Sequence, residues 1–117
     1  MQPTNSRIVV SNLEEVLEMH LKAMKIPYTR EFMPFFPVRR YRFDFLVGPW
    51  PKAGRCFLVE CEGQIWQKGG HSSGSGITRD IEKANMCAVH GLWLLRFTKE
   101  MIESGAALKT IEEALKR

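Results

Sequence analysis

Two short apolar runs joined by a turn rich in proline and glycine constrain the fold of this chain more than any other feature. The runs cover residues 41–47 and 55–62, and the turn between them holds Gly48, Pro49, Pro51 and Gly54. Such a pattern predicts two neighbouring strands whose side chains alternate between the faces of a sheet. For the first strand this alternation predicts a polar face and an aromatic face, with Arg40, Arg42 and Asp44 on one and Tyr41, Phe43 and Phe45 on the other.

The two runs also carry three carboxylates. Asp44 belongs to the first run, and Glu60 and Glu62 share one face of the second, directly after an apolar stretch. Carboxylates are seldom buried without a partner, and three of them together would repel one another. A hard divalent cation, Mg²⁺ or Mn²⁺, would balance them with the oxygen ligands it prefers and would suit phosphoryl chemistry. A solvated sheet face neutralised by Arg40 and Arg42 is the alternative, and the residues alone leave both interpretations open.

Amphipathic periodicity predicts a helix ahead of these strands. It should begin near Ser11 or Asn12, both good N-caps, and end by Ile26, because Pro27 disfavours a helical residue before it. Leucines at helical spacing form its apolar stripe, and Glu14 lies at the edge of that stripe. The carboxylate of Glu14 can therefore reach inward, although it also suits the positive end of the helix dipole.

The segment after this helix, residues 28–36, is extended and aromatic and carries Glu31 within it. Pro34 and Pro37 restrict it to an edge strand or to a strand that ends early. Packing in the core or at the sheet edge is the favoured interpretation of its aromatic rings. A platform that stacks a cofactor or a base is the alternative for Phe32, Phe35 and Phe36.

A second helix and a buried strand are predicted after the carboxylates. The helix spans residues 78–90, with Arg79 and Lys83 one turn apart on the side away from the sheet. Its sheet-facing side is small, comprising Ile81, Ala84, Asn85, Ala88 and Val89. Residues 92–97 form a continuous apolar run, as in strands that are covered on both faces. Because the helix connects this strand to residues 55–62, parallel pairing through a right-handed crossover is expected.

The resulting order α-β-β-β-α-β-α predicts an α/β, or mixed α+β, fold with a central mixed sheet flanked by helices. Thr98 should cap a short helix that Gly105 interrupts, and a last helix follows. The length of 117 residues suits one core, so we expect a single domain over residues 1–117. Within it, residues 1–10 should be a loose tail and the Gly/Ser-rich residues 63–76 a flexible loop.

Charge and cysteine content narrow the compartment and the partners. The net charge of +4 favours polyanionic partners only weakly, and solubility alone would explain it. Three scattered cysteines without a CxxC pair argue against a disulfide framework and a zinc site. No apolar run is long enough to span a membrane, and the first residues lack the apolar segment of a secretion signal. We therefore expect a cytoplasmic protein with no membrane partner.

These residues and motifs resemble the PD-(D/E)XK nuclease superfamily. The resemblance covers residues 11–98 and is carried by Glu14 in the first helix, by RRYRFDFLV around Asp44 and by FLVECEG around Glu60. The segments GITRDIEKAN and GLWLLRFT are similar to those of small phage-type nucleases. Within the superfamily the chain is most similar to small archaeal-type Holliday junction resolvases and related phage endonucleases. The resemblance implies a restriction-endonuclease-like core and the cytoplasm of a bacterial or phage-infected cell.

The resemblance also implies a metal centre and no organic cofactor. Asp44 corresponds to the motif aspartate, Glu60 to the acidic residue of the second half-motif and Glu14 to the first-helix glutamate. Together with the backbone carbonyl of Cys61, Asp44 and Glu60 would bind one or two Mg²⁺ or Mn²⁺ ions, with Glu14 or Glu62 completing the shell.

The motif lysine is the one departure from the family pattern. Glu62 stands where the family usually has a lysine, as it does in some restriction enzymes of the superfamily. The resemblance therefore leaves two candidates for the group that activates water: Glu62 itself, or a displaced lysine supplied by Lys83 or Lys68.

DNA, branched or junction DNA in particular, is the implied partner. The residues expected to contact it are basic: Arg40, Arg42, Lys68, His71, Arg79 and Lys83. Glu31 and Gln64 are further candidates for the site. Because resolving a junction requires two symmetric cuts, a homodimer is expected, joined through the C-terminal helices or residues 32–36. A restriction- or mismatch-repair-type nicking enzyme and a catalytically silent nuclease-fold DNA-binding protein are the alternatives.

Overall fold

A mixed sheet with helices on both of its faces forms the centre of the computed structural model, which describes residues 12–51, 56–62 and 74–117. The elements of this part follow in the order α1 (Leu13–Ala23), β1 (Tyr28–Phe32), β2 (Phe43–Val47), β3 (Phe57–Glu62), α2 (Gly74–Val89), β4 (Trp93–Thr98), α3 (Lys99–Glu103) and α4 (Ala106–Leu115). The described strands lie side by side in sequence order; β1, β2 and β3 are antiparallel, and β3 and β4 are parallel. The predicted α/β order and both kinds of pairing are therefore confirmed.

Two apolar clusters hold the helices against opposite faces of the sheet. The larger cluster lies between the sheet and the helices α1, α3 and α4, and its buried side chains include Leu17, Leu21, Phe45, Val59 and Ile111. Beneath α2 lies a smaller cluster that includes Phe35, Phe43, Leu46, Leu58 and Cys87. Each fully buried Leu or Phe stabilises the fold by about 1.5–3 kcal/mol relative to an exposed one. The two clusters together fix α1 and α2, which carry Glu14 and Lys83, on opposite faces of the strands that carry Asp44 and Glu60.

The ends of the helices follow from local chemistry. The helix α1 ends shortly before Pro27, where Lys25 adopts a left-handed φ of 58° and Ile26 donates its N–H to the carbonyl of Leu21. The side chain of Thr98 accepts the N–H of Met101 and caps α3, as predicted. Gly105, at a φ of 89°, separates α3 from α4, a conformation that glycine adopts without a steric cost.

Two predictions about α2 are wrong. The helix begins at Gly74 and not near Thr78, so the last residues of the expected loop over 63–76 are helical. The side predicted to face the sheet is exposed at Ile81 and Val89, whereas Cys87 is buried and Met86 packs beside it. The face that carries Lys83 and Cys87 therefore turns toward the sheet, with 11% of Lys83 exposed.

One prediction about the strands is wrong and another holds in part. The strand β4 lies at the edge of the sheet described and 48% of Trp93 is exposed, yet both of its faces are covered: Leu95 and Phe97 pack in the cluster under α1, and Leu94 packs against the cluster under α2. Alternation fails within β2, because Phe43 packs under α2 while Phe45, two residues later, packs under α1. The predicted shared faces of this strand are therefore absent, and the break falls at Asp44.

No helix in the described ranges combines the length and the apolar character that crossing a lipid bilayer requires. Cys56, Cys61 and Cys87 form no disulfide, and Cys56 and Cys87 are buried in the apolar cluster under α2. Such packing is typical of cysteine, which behaves as a small apolar residue in protein cores.

Candidate active site

The sheet opens between β2 and β3 at Asp44 and Glu60. Pairing of the two strands ends at Phe45 and Val59, so Asp44 and Glu60 occupy the next positions of the ladder without pairing through their backbones. The carboxylate of Asp44 accepts the backbone N–H of Cys61 instead, at 2.8 Å from Oδ2. The strand β3 continues to pair with β4 on its other side as far as Glu62. The edge of β3 that faces β2 therefore has no ladder pairing at the positions of the predicted acids.

Glu60 is held by Lys83, which reaches it from α2. The ammonium Nζ of Lys83 donates to Oε2 of Glu60 at 2.7 Å and to the carbonyl of Arg42 at 3.0 Å. Both side chains are largely shielded, with 11% of Lys83 and 15% of Glu60 exposed. Burial raises the pKa of Glu60 above its ordinary value, and the charges of Asp44 and Glu62 raise it further, while Lys83 acts in the opposite direction. The lysine thus partly offsets a surplus of negative charge.

Glu14 approaches Asp44 from the other face of the sheet. Burial raises the pKa of Glu14, and the neighbouring carboxylate of Asp44 raises it further. Burial also raises the pKa of the Cys61 thiol, with smaller contributions of the same sign from Asp44, Glu14 and Glu60. Asp44 therefore lies within electrostatic reach of both Glu14 and Glu60, and each of the three carboxylates acts on Cys61.

The other two predicted acids form ion pairs with arginines. Glu62 is bound by Arg96 of β4, with Nε of the arginine 2.8 Å from Oε2. Glu31 lies 3.5 Å from Arg42 in a more exposed pair and has a left-handed φ of 54°, which is uncommon for a residue other than glycine. Glu62 is therefore part of the charged group at the open edge, whereas Glu31 belongs to the surface beside Arg42.

A basic groove runs beside these carboxylates. It has a volume of about 580 Å³ and is lined by Met33, Arg40, Tyr41, Arg42, Arg79 and Lys83. Its cations come from two separate parts of the chain: Arg40 and Arg42 from the segment before β2, and the exposed Arg79 and the largely shielded Lys83 from α2. The structure thus brings together the four described residues that the sequence predicts to contact DNA. Lys83 connects the groove to Glu60, because it lines the former and binds the latter.

The donor set can be compared with what a divalent ion requires. Among residues 12–51, 56–62 and 74–117 there is no group of three or more His, Cys, Asp or Glu side chains that could hold a metal ion. Mg²⁺, however, is commonly held by one or two carboxylates together with water and substrate phosphates. Asp44, Glu60 and the carbonyl of Cys61 supply oxygen donors of that kind, so their chemistry fits Mg²⁺ or Mn²⁺.

Three predicted site residues lie outside the described ranges, and two residues at the site were not predicted. Gln64, Lys68 and His71 lie outside the described residues. Arg96 was missed, although a lone arginine within the apolar run LWLLRF is a signal that an acid lies beside it. The role of Tyr41 was also missed; its hydroxyl donates to Glu82 of α2 at 2.8 Å and closes one wall of the groove.

Comparisons with protein-family profiles, with curated proteins and with solved structures found no match to this chain. A functional assignment therefore depends on the chemistry of the residues themselves and on the motif resemblance. The features that any assignment must explain are the opened sheet edge with its acids and the basic groove beside it.

Proposed function

We propose that this chain is a Mg²⁺- or Mn²⁺-dependent DNA endonuclease with a restriction-endonuclease-like core, which hydrolyses phosphodiester bonds in branched or junction DNA. One observation carries the proposal. Lys83 lines a groove with three arginines and at the same time binds Glu60 at the opened edge of the sheet. A polyanion seated in this groove would lie directly against the paired carboxylates.

The arginines of the groove would bind and orient the DNA backbone. Arg40, Arg42 and Arg79 present cations along one surface, a pattern suited to successive phosphates and blind to base sequence. Arg42 also forms an exposed ion pair with Glu31, at 3.5 Å. Contacts of this kind set the register of the substrate and leave specificity to the shape of the DNA.

Asp44, Glu60 and the Cys61 carbonyl would hold the divalent ion, with Glu14 or Glu62 completing the shell. When bound, such an ion lowers the pKa of water and balances the charge of the scissile phosphate. The hydrogen bond from the Cys61 N–H orients the Asp44 carboxylate. Burial is the main cause of the raised pKa values of Glu14 and Glu60, and the charge of Asp44 adds to both; a cation bound between these carboxylates would lower the pKa values again.

The lysine of the family motif is best assigned to Lys83. Glu62 occupies its usual position in the sequence but is bound by Arg96, which holds it in place as a neutralised pair. Lys83 delivers an ammonium group to Glu60 from the neighbouring helix, as a displaced lysine would. In this arrangement Lys83 orients water or stabilises charge on the phosphate, and Glu62 with Arg96 supports the shape of the site.

A homodimer follows from the proposed substrate. Resolution of a junction requires two cuts related by two-fold symmetry, and two copies of one site supply them. The C-terminal helices α3 and α4 and the aromatic segment 32–36 are the candidate contacts. Sedimentation velocity of the purified protein, alone and with a four-way junction, would measure the number of copies in each state.

A catalytically silent DNA-binding protein is the second candidate. It is favoured by the two ion pairs, Lys83 with Glu60 and Arg96 with Glu62, because each neutralises an acid that an ion would otherwise need. In that case the groove would bind DNA and the acids would serve only to position the cations. Cleavage assays distinguish the two candidates directly.

The test is a panel of substrates incubated with Mg²⁺ or Mn²⁺: a four-way junction, a mismatched duplex, a plain duplex and a single strand. Cutting of junctions alone supports the proposal, and cutting at mismatches or at one duplex sequence supports a nicking or restriction enzyme. Asp44→Asn should abolish cutting and leave DNA affinity largely unchanged. Glu103→Gln, which alters an exposed acid of α3 on the other side of the sheet, is the matched control and should cut normally. Binding without cutting in the unaltered protein would support the silent alternative.

A further inference from the structure

A second groove, apolar and rich in rings, lies next to the basic one. It has a volume of about 460 Å³ and is lined by residues of the segment before β2, the turn after it and the last turns of α2, among them Phe35, Phe36, Val38, Trp50 and His90. Large parts of three of these side chains are exposed: 52% of Phe36, 75% of Val38 and 41% of Trp50. A contiguous exposed apolar surface of this kind is typical of a binding site for a ligand or a macromolecule.

The rings of this apolar groove are held in place from below. Phe35 is buried and packs edge-on against Phe43, with ring centres 6.2 Å apart, and its other neighbour is the ring of His90 at 5.1 Å. Trp50 packs edge-on against Phe32 at 5.0 Å. Because these contacts fix Phe35 and Trp50, the groove is preorganised and loses little side-chain freedom on binding.

The apolar groove is continuous with the basic groove. Arg40 lines the basic groove, and its guanidinium lies 5.6 Å from the centre of the Phe36 ring. Along α2, Lys83 lines the basic groove and Met86, about one turn later, lines the apolar one. A strand whose phosphates contact Arg40 would therefore carry its bases past Phe36.

We infer that the apolar groove binds an unstacked nucleobase of the strand whose phosphates lie in the basic groove, an inference that rests on the proposed function. Aromatic rings bind bases by stacking, and this needs no hydrogen-bond code. The described residues that line the groove include no carboxylate, and the cation at its rim favours a ligand attached to phosphate over an apolar peptide. A base inside a regular duplex cannot reach such a groove, so the substrate must present an unpaired base, as branch points and bulges do.

The experiment compares three DNA ligands of one sequence by fluorescence anisotropy, with Ca²⁺ in place of Mg²⁺ to suppress cutting. They are a paired duplex, the same duplex with one extra thymidine, and the same duplex with an abasic residue at that bulge. The unaltered protein should bind the thymidine bulge more tightly than the abasic bulge by roughly five- to a hundredfold, the usual range for base stacking on an aromatic side chain. Phe36→Leu and Trp50→Leu should remove this preference and leave affinity for the paired duplex unchanged.

Controls separate stacking from packing. Phe36→Tyr keeps a ring at the exposed position and should retain the preference, whereas Met19→Leu alters an exposed apolar residue of α1 and should have no effect. Equal binding of both bulges by the unaltered protein, with salt-sensitive binding of the duplex retained, would overturn the inference and leave the proposed function standing. Absence of binding to any DNA at low salt would instead overturn the proposed function. A change from dimer to monomer in Phe36→Leu, seen by sedimentation velocity, would identify the groove as a contact between copies and also overturn the inference.

Discussion

Lys83 contacts three neighbouring residues at the proposed site. Its ammonium group binds Glu60 at 2.7 Å and the Arg42 carbonyl at 3.0 Å, and it lies 4.5 Å from the centre of the Phe43 ring. Lys83→Met keeps the apolar stem and removes the charge. We expect single-turnover cutting to fall by about two orders of magnitude or more, which is the usual effect of losing one positioned electrostatic group.

The same variant should also reduce stability, because Glu60 loses a charged hydrogen-bond partner. The expected loss is about 1.5–3 kcal/mol in urea unfolding at pH 7. Adding Glu60→Gln to Lys83→Met should recover most of this loss by removing the unpaired charge, yet cutting should remain absent. Normal cutting by Lys83→Met would show that this lysine is a structural partner of Glu60 and no more.

At the residue scale, the sequence identifies the acidic residues of the proposed site but does not predict which residues their carboxylates bind. Asp44, Glu60 and Glu14 were predicted to converge from their positions in a motif; in the structure the Asp44 carboxylate accepts the N–H of Cys61, and its charge raises the pKa of both Glu14 and Glu60. The partners of Glu62 and Glu31 were not predicted, because an ion pair between residues far apart in the chain depends on strand register and twist. Alternation failed at Asp44 because the strand opens there, and no local pattern distinguishes an opening strand from a regular one.

At the scale of elements, a polar contact links α1 to β1. The carboxylate of Glu18 accepts hydrogen bonds from the hydroxyl of Tyr28 and from Arg30. The hydrogen bond from Tyr28 lowers the pKa of Glu18 below its ordinary value of 4.5, and Arg30 contributes in the same direction. A carboxylate whose pKa is lower in the folded state stabilises the fold above pH 4.5, and this stabilisation is lost as the pH falls through the lowered pKa.

Glu18→Gln tests this linkage. At pH 7 the variant should be less stable by no more than about 1 kcal/mol, since both partners are partly exposed. The difference should shrink as the pH is lowered below 4.5, because the unaltered protein then protonates Glu18. Urea unfolding across this pH range measures it, with Glu15→Gln on the exposed side of the same helix as control. A difference that stays constant with pH would mean that Glu18 contributes through shape and not through charge.

Helices and strands were largely predictable because their periodicity is local, but their environments were not. The caps at Thr98 and Gly105 were read from residue type, and parallel pairing of β3 and β4 followed from the connecting helix. The start of α2 was misplaced because the residues Gly-Ser-Gly at 74–76 are poor helix formers, yet the helix begins with them. The apolar run of β4 correctly predicted cover on both faces, which Leu94, Leu95 and Phe97 receive, but it could not predict that the strand lies at the edge of the described sheet.

At the scale of the whole molecule, the basic residues of the proposed DNA-binding groove lie on one side of the sheet. The net charge of +4 is modest, but the basic groove collects four cations on the α2 side of the sheet. The opposite side, covered by α1, α3 and α4, holds the larger apolar cluster. The affinity for a polyanion should therefore depend on the basic residues of the groove and not on the net charge of the protein.

The salt dependence of DNA binding tests this asymmetry. Each phosphate contact releases bound counterions, so the plot of log K against log salt concentration steepens by about 0.9 per contact on duplex DNA. Arg42→Ala and Arg79→Ala should each reduce the slope by about that amount and weaken binding to all sequences alike. Lys109→Ala removes the same charge from an exposed position on α4, on the other face of the sheet, and should leave the slope unchanged. If all three variants changed the slope equally, binding would reflect net charge alone, and the groove would not be the DNA surface.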